Sequence, residues 1–173
     1  MSTRVFFKAI ANVLFAISVA MCVGITGCAS SSGSSYHTFS FDGRFDKWAK
    51  SVDLLEYDYG GKVSLASRKV GADASSLGPG TGINATMPNG EYLYVKWRLL
   101  RTGEVIEKRV DLRGLLPVNM FEHTVTFVID ERELYVYLVT PQNKLPTAPP
   151  ILKTYLSVYR EAFEIYPSNT FNK

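Results

Sequence analysis

The chain has 173 residues, a formal net charge of +3 and only two cysteines, Cys22 and Cys28. So small a charge gives it no reason to seek nucleic acid, and two cysteines exclude a disulfide framework or a Cys-rich metal site. At 46% hydrophobic residues the chain is apolar enough, at this length, to bury the core of one ordinary domain.

Residues 1–27 begin with Arg4 and Lys8 and continue in an apolar run from Ala9 to Val23. A basic start, a short apolar segment and small residues at its end make a secretory signal peptide. An uncleaved membrane anchor is the alternative, but the run is short of the roughly 20 residues needed to span a bilayer. The signal ends on Ile25-Thr26-Gly27-Cys28, which resembles the lipobox of bacterial lipoproteins. The resemblance implies cleavage before Cys28 and acylation of its sulfur and its new amino group. Ala29, where an Asp commonly signals inner-membrane retention, implies transfer to the outer membrane with the domain in the periplasm. Removing 27 of 173 residues leaves 146, with 17 basic and 16 acidic side chains. With Cys22 removed and Cys28 acylated, no free thiol remains for a disulfide or a nucleophile.

Residues 28–35, the lipidated Cys and Ala-Ser-Ser-Ser-Gly-Ser-Ser, read as a flexible tether. A single globular domain is expected over 36–173. His37–Phe41, Val52–Tyr59 and Lys62–Ala66 read as short strands, with a turn at Gly60-Gly61. Between the first two, Asp42–Lys50 is expected to hold a helical turn with Phe45 and Trp48 inward. Residues 78–90, rich in Gly and Pro, read as a long loop.

From Tyr92 to Leu99 the sequence alternates, with Leu93, Val95, Trp97 and Leu99 on one side. Val105–Leu112 alternates likewise through Ile106, Val110 and Leu112. Period two means strands with one buried face. A two-residue turn at Thr102-Gly103 would set Leu99 against Ile106, Val95 against Val110 and Leu93 against Leu112, with Arg98 meeting Glu107. A bulged turn stays open as an alternative. Leu115–Phe121 is an apolar loop. A second hairpin pairs Ile129 with Leu134, Phe127 with Val136 and Val125 with Leu138 around the polar turn Asp130–Glu133. Its other face is not clearly polar, so this hairpin is expected to be covered on both sides. Pro141, Pro146, Pro149 and Pro150 mark a loop. Tyr155, Val158, Tyr159, Ala162, Phe163 and Tyr166 then have the spacing of an amphipathic helix over Thr154–Tyr166, with a strand at Tyr155–Tyr159 as the competing reading. The expected fold is mainly β: an antiparallel sandwich or curved sheet with one C-terminal helix packed on it.

Catalytic signatures are weak. The two histidines, His37 and His123, have no Gly-x-Ser-x-Gly elbow to serve. Asp42, Asp46, Asp53, Glu56 and Asp58 are scattered, and Asp58 beside Gly60-Gly61 offers too few neighbours for a calcium site. Gly78-Pro79-Gly80-Thr81-Gly82 lacks the Lys-Ser/Thr that a phosphate-binding loop needs. No metal, cofactor or catalytic residue is expected. The loops 78–90 and 115–121 are the candidate binding elements, with Ile83, Asn84 and Met87 in the first and Met120 and Phe121 in the second. The competing reading of Leu115, Leu116 and Phe121 is that they close the core.

The stretch Met87-Pro88-Asn89-Gly90-Glu91-Tyr92-Leu93-Tyr94-Val95-Lys96-Trp97-Arg98, with Val110-Asp111-Leu112-Arg113 and Leu-Tyr-Val-Tyr-Leu at 134–138, resembles small outer-membrane lipoproteins encoded beside type VI secretion lipase effectors. The resemblance covers roughly 77–140 and the signal. It implies a non-enzymatic immunity protein that binds and neutralises a secreted phospholipase. The alternative is a structural or assembly lipoprotein of the envelope that engages a secretion or cell-wall component. An envelope hydrolase would require a role for His123.

Overall fold

The structure, a computed structural model, describes residues 33–146 and 152–171. The expected signal peptide, Cys28, most of the tether and the prolines at 149 and 150 lie outside the described residues. The elements run β1 (Ser34–Asp42), a 3-10 turn (Trp48–Lys50), β2 (Val52–Gly60), β3 (Ser64–Lys69), β4 (Gly80–Pro88), β5 (Tyr92–Leu99), β6 (Val105–Asp111), β7 (Thr124–Asp130), β8 (Glu133–Asn143), a second 3-10 turn (Tyr155–Val158) and β9 (Arg160–Tyr166). Sheet one has the order β4-β1-β7-β8-β9 and sheet two the order β3-β2-β5-β6. Neighbours are antiparallel except β1 and β7, which run parallel with Thr38 facing Thr124.

Alternation builds these sheets. Leu93, Val95, Trp97 and Leu99 all turn inward and are buried, while Tyr92, Tyr94, Lys96 and Arg98 between them stay partly open. The inner faces of the two sheets share one aromatic-rich core. Phe39 of β1 stacks on Tyr59 of β2 with centroids 4.6 Å apart, and Phe41 packs on Phe127 at 4.6 Å and Tyr57 at 5.1 Å. Each such ring contributes roughly 1.5–3 kcal/mol by leaving water, plus a smaller term from ring geometry. Trp97 Nε1 donates to the carbonyl of Glu131 at 2.8 Å, fastening sheet two to the β7–β8 turn of sheet one.

The central hairpin has the register expected from its sequence: Ile129 faces Leu134, Phe127 faces Val136 and Val125 faces Leu138. It is interior to sheet one, and its outer-face residues Thr126, Val128 and Tyr137 are buried too. The β5–β6 hairpin is shifted by two residues from expectation, with Trp97 facing Ile106 and Leu93 facing Val110. The connection is a four-residue loop rather than a two-residue turn. Leu99 N–H closes it on Glu104 O at 2.8 Å, and Gly103 takes a left-handed φ of 73°. A shift of two leaves every side chain on its expected face. Lys96 therefore meets Glu107, at 3.3 Å, and Arg98 turns to Asp53 of β2 at 3.6 Å.

The expected C-terminal helix is not formed. Thr154–Tyr166 holds a short 3-10 turn and then β9, paired with β8. Residues 78–90 are not a loop but chiefly the strand β4. Ser34 and Ser35, expected in the tether, are the first residues of β1. Trp48 is buried as expected, but Phe45 is 64% exposed and rests against Tyr155, with centroids 5.0 Å apart.

Candidate binding surface

β4 forms because its residues match β1 one for one, from Ser34 facing Pro88 to Asp42 facing Gly80. Facing residues of an antiparallel pair share a side of the sheet. Ile83 follows Phe39 inward and packs on the core, and Met87 follows Ser35 inward and is buried. Asn84 follows Thr38 outward, where Thr38 Oγ1 donates to Asn84 Oδ1 at 3.1 Å. Gly82, Asn84 and Thr86 form the exposed row. Tyr36, 44% exposed and opposite Thr86, extends it onto β1.

β4 is also an edge strand, paired on one side only. The other edges carry charge: Arg68 and Lys69 on β3, Glu107, Lys108, Arg109 and Asp111 on β6, and Arg160, Glu161 and Glu164 on β9. Charges on an edge discourage pairing with another chain. β4, Gly-Thr-Gly-Ile-Asn-Ala-Thr-Met-Pro, has none. Among the described residues nothing pairs with its outer side, so its backbone there is open to an added strand, blunted by Pro88 at its end.

The segment after β6 folds over the start of β1. Met120 N–H donates to Ser35 Oγ at 3.2 Å, Glu122 N–H to Tyr36 O at 2.8 Å, and Asn89 Nδ2 to Pro117 O at 2.9 Å. These bonds drive Met120 into the core and leave Phe121 53% exposed. Leu115 and Leu116 are partly buried against the core. Of the five expected contact residues, Met87, Met120 and Phe121 come together around Ser35, while Ile83 and Asn84 lie further along β4. Met87 and Met120 present no surface, which corrects their role as anchors. Asn84 and Phe121 do present one. Sequence reasoning missed Tyr36 and Val118, the latter 90% exposed; for Val118 the signal available was the absence of charge from 115–121.

His37 is enclosed. Its Nδ1 donates to Ser35 O at 2.9 Å, so the neutral ring accepts at Nε2 from the Tyr59 hydroxyl at 3.2 Å. That hydroxyl accepts in turn from Gly90 N–H at 3.1 Å. Burial holds the His37 pKa below the ordinary imidazole value and pushes the Tyr59 phenol up to about 12. The arrangement ties sheet one to sheet two, with both His37 and Tyr59 fully buried. His123 places Nδ1 2.9 Å from Phe121 O. Among the described residues, neither imidazole hydrogen-bonds a carboxylate or a serine hydroxyl, the partners a nucleophilic triad requires. Asp58 is occupied by the hydroxyls of Tyr92 at 2.6 Å and Ser64 at 2.7 Å. No cluster of three His, Cys, Asp or Glu suited to a metal occurs among the described residues.

A hollow of about 470 Å³ opens at the opposite end, between Lys50, Leu99, Arg101 and Glu131. It lies away from the β4 row and contains none of the expected contact residues. The chain matches no protein-family model, no curated protein and no solved structure.

Proposed function

We propose that this chain is a lipid-anchored periplasmic binding protein that neutralises a secreted phospholipase by occupying it, without chemistry of its own. The observation that carries the reading is β4, an edge strand with no charge to repel a partner and with Asn84 and Thr86 exposed along it. An extended segment of the effector adds to this edge through main-chain hydrogen bonds, with the outward row supplying selectivity. The lipobox-like end of the signal supports the location. A toxin that attacks periplasm-facing phospholipid is met at the membrane, and the tether raises the inhibitor's effective concentration there.

The test uses the acylated chain and the product of the adjacent gene, with lipid hydrolysis on vesicles as the readout. Asn84→Lys with Thr86→Lys places charge on the edge at exposed positions and should leave melting unchanged. Inhibition should then weaken at least tenfold. Val63→Lys, exposed on the β2–β3 turn of sheet two, is the control and should inhibit like wild type. Full inhibition by the double variant would remove β4 from the interface, and no inhibition by the wild type would end the immunity reading.

A further inference from the structure

We infer that the end of the domain around Val118 and Phe121 rests on the phospholipid surface that anchors the chain. The inference depends on the lipid-anchored reading of Cys28 and adds to it an orientation of the folded domain.

Two independent observations meet at this end. The first is an exposed apolar rim. Val118 is 90% exposed, Phe121 53% and Tyr36 44%. Hydrogen bonds hold them together: Glu122 N–H to Tyr36 O at 2.8 Å, Met120 N–H to Ser35 Oγ at 3.2 Å, and Phe121 N–H to Asn119 Oδ1 at 2.9 Å. The stretch Leu115–Phe121 carries no charge. Leu115 and Leu116 turn to the core, so the exposure of Val118 and Phe121 is built into the loop rather than left by poor packing. The loop is held in shape, with Glu122 in the left-handed region at φ 58°.

The second observation is where the anchor enters. β1 begins at Ser34, directly under this loop, and Cys28 is six residues earlier. Six residues reach at most about 20 Å when fully extended. A domain of this size is roughly 30–40 Å across from its radius of gyration. The anchor is therefore too short to let the domain turn its far end to the bilayer while Ser34 stays clear of it. The end nearest the lipid is the end that exposes Val118, Phe121 and Tyr36. An aromatic side chain with a polar tip, as in Tyr36, suits the boundary between headgroups and acyl chains. Leu115–Phe121 brings no charge to the lipid, and the exposed carboxylate of Glu122 beside it stays among the headgroups. With this end down, β4 stands up from the membrane with its free edge turned sideways to a lipase working on the same surface.

The mature chain has no thiol besides Cys28, so Val118→Cys gives a single spin-labelling site in the acylated protein. Val105→Cys, at the opposite end and 48% exposed, is the reference. The labelled proteins are reconstituted on vesicles of phosphatidylethanolamine and phosphatidylglycerol. Acylation is checked by mass and attachment by flotation. On binding, the label at 118 should gain accessibility to oxygen and lose accessibility to a water-soluble nickel chelate. The ratio of the two should rise severalfold, while the label at 105 stays unchanged. An acylated, vesicle-bound protein whose label at 118 remains as water-accessible as that at 105 overturns the membrane contact and leaves the anchor reading standing. Dipolar broadening between labels at 118 would give the rim to a second copy of the chain and overturn it equally. Absence of acyl mass with failure to float overturns both readings together.

Discussion

The hydroxyl of Tyr59 accepts the backbone N–H of Gly90 at 3.1 Å, and the ring of Tyr59 occupies the space that a Cβ on Gly90 would need. One side chain thus fixes the approach to β5 by its tip and requires glycine there by its body. The same hydroxyl donates to His37, so three segments of the chain meet at one oxygen. Gly90→Ala should lower stability by about 1–3 kcal/mol through overpacking. Tyr59→Phe keeps the ring but strands Gly90 N–H and His37 Nε2, and should cost about 1–3 kcal/mol. Urea titration of both variants measures this. A wild-type midpoint for Gly90→Ala would mean the ring is free to move aside.

His37 and Asp46 give stability opposite dependences on pH. His37 is buried and neutral, with a pKa below the ordinary 6.5. The unfolded chain takes up a proton first, so stability falls as pH drops below about 6.5 toward the folded value. Asp46 is raised from 3.8 to about 6, chiefly by burial. Here the folded chain keeps a proton that the unfolded one releases, so stability falls as pH rises through that interval and stays lowered above it. Asp46 Oδ1 accepts Tyr155 N–H at 2.7 Å. Asp46→Asn retains the acceptor and removes the charge. It should stabilise the protein by about 1 kcal/mol at pH 7.5, a figure kept below the full worth of the shift because the carboxyl is partly in water. The gain should vanish near pH 4. Melting temperatures across that range decide it, and a pH-independent difference would refute the account.

Trp97 and Tyr94 test the two faces of β5. Trp97→Ala removes a fully buried indole and its bond to Glu131 O, and should cost about 3–5 kcal/mol. Tyr94 faces outward, and its hydroxyl donates to Glu107 at 2.7 Å in an exposed setting. Tyr94→Ala should cost about 1 kcal/mol or less. Equal losses by chemical denaturation would mean that a second layer covers the outer face of sheet two.

Cys28→Ser tests the anchor directly. The variant should accumulate as an uncut or mislocalised precursor and fail to label with palmitate. Palmitate-labelled Cys28→Ser protein in the outer-membrane fraction would dispose of the lipoprotein reading.

The strands most open to sequence reading were those with clean alternation and a short connection. β7 and β8 have both, and their register follows from pairing Ile129 with Leu134. β5 and β6 share the alternation, but a register slip of two preserves it, so the apolar pattern could not tell a two-residue turn from the loop closed by Gly103. The C-terminal helix failed for a local reason. Tyr166 faces Val136 while Glu164 faces Tyr137, leaving Ile165 as an extra residue in β9. This bulge breaks the period of two. The buried pair Ala162 and Ile165 is thus three residues apart, as on a helix, while Val158 and Tyr159, counted inward by that spacing, are exposed. β4 was hidden by composition: Gly80, Gly82 and Pro88 signal a loop, and only the partner β1 makes them a strand. The candidate surface was half legible for the same reason. The residues were found, but without the strand their alternation was not, and so Met87 was not separated from Asn84.

β1 has one further consequence, for the order in which the fold closes. It lies between β4 and β7 in sheet one, with Thr38 facing Asn84 on one side and Thr124 on the other. Of the described strands it is the first in sequence, and its two neighbours begin only at residues 80 and 124. Pairings this distant in sequence slow folding, because the intervening loop must close before any contact rewards it. Sheet one therefore stays incomplete until β7, and then β8 and β9, have followed.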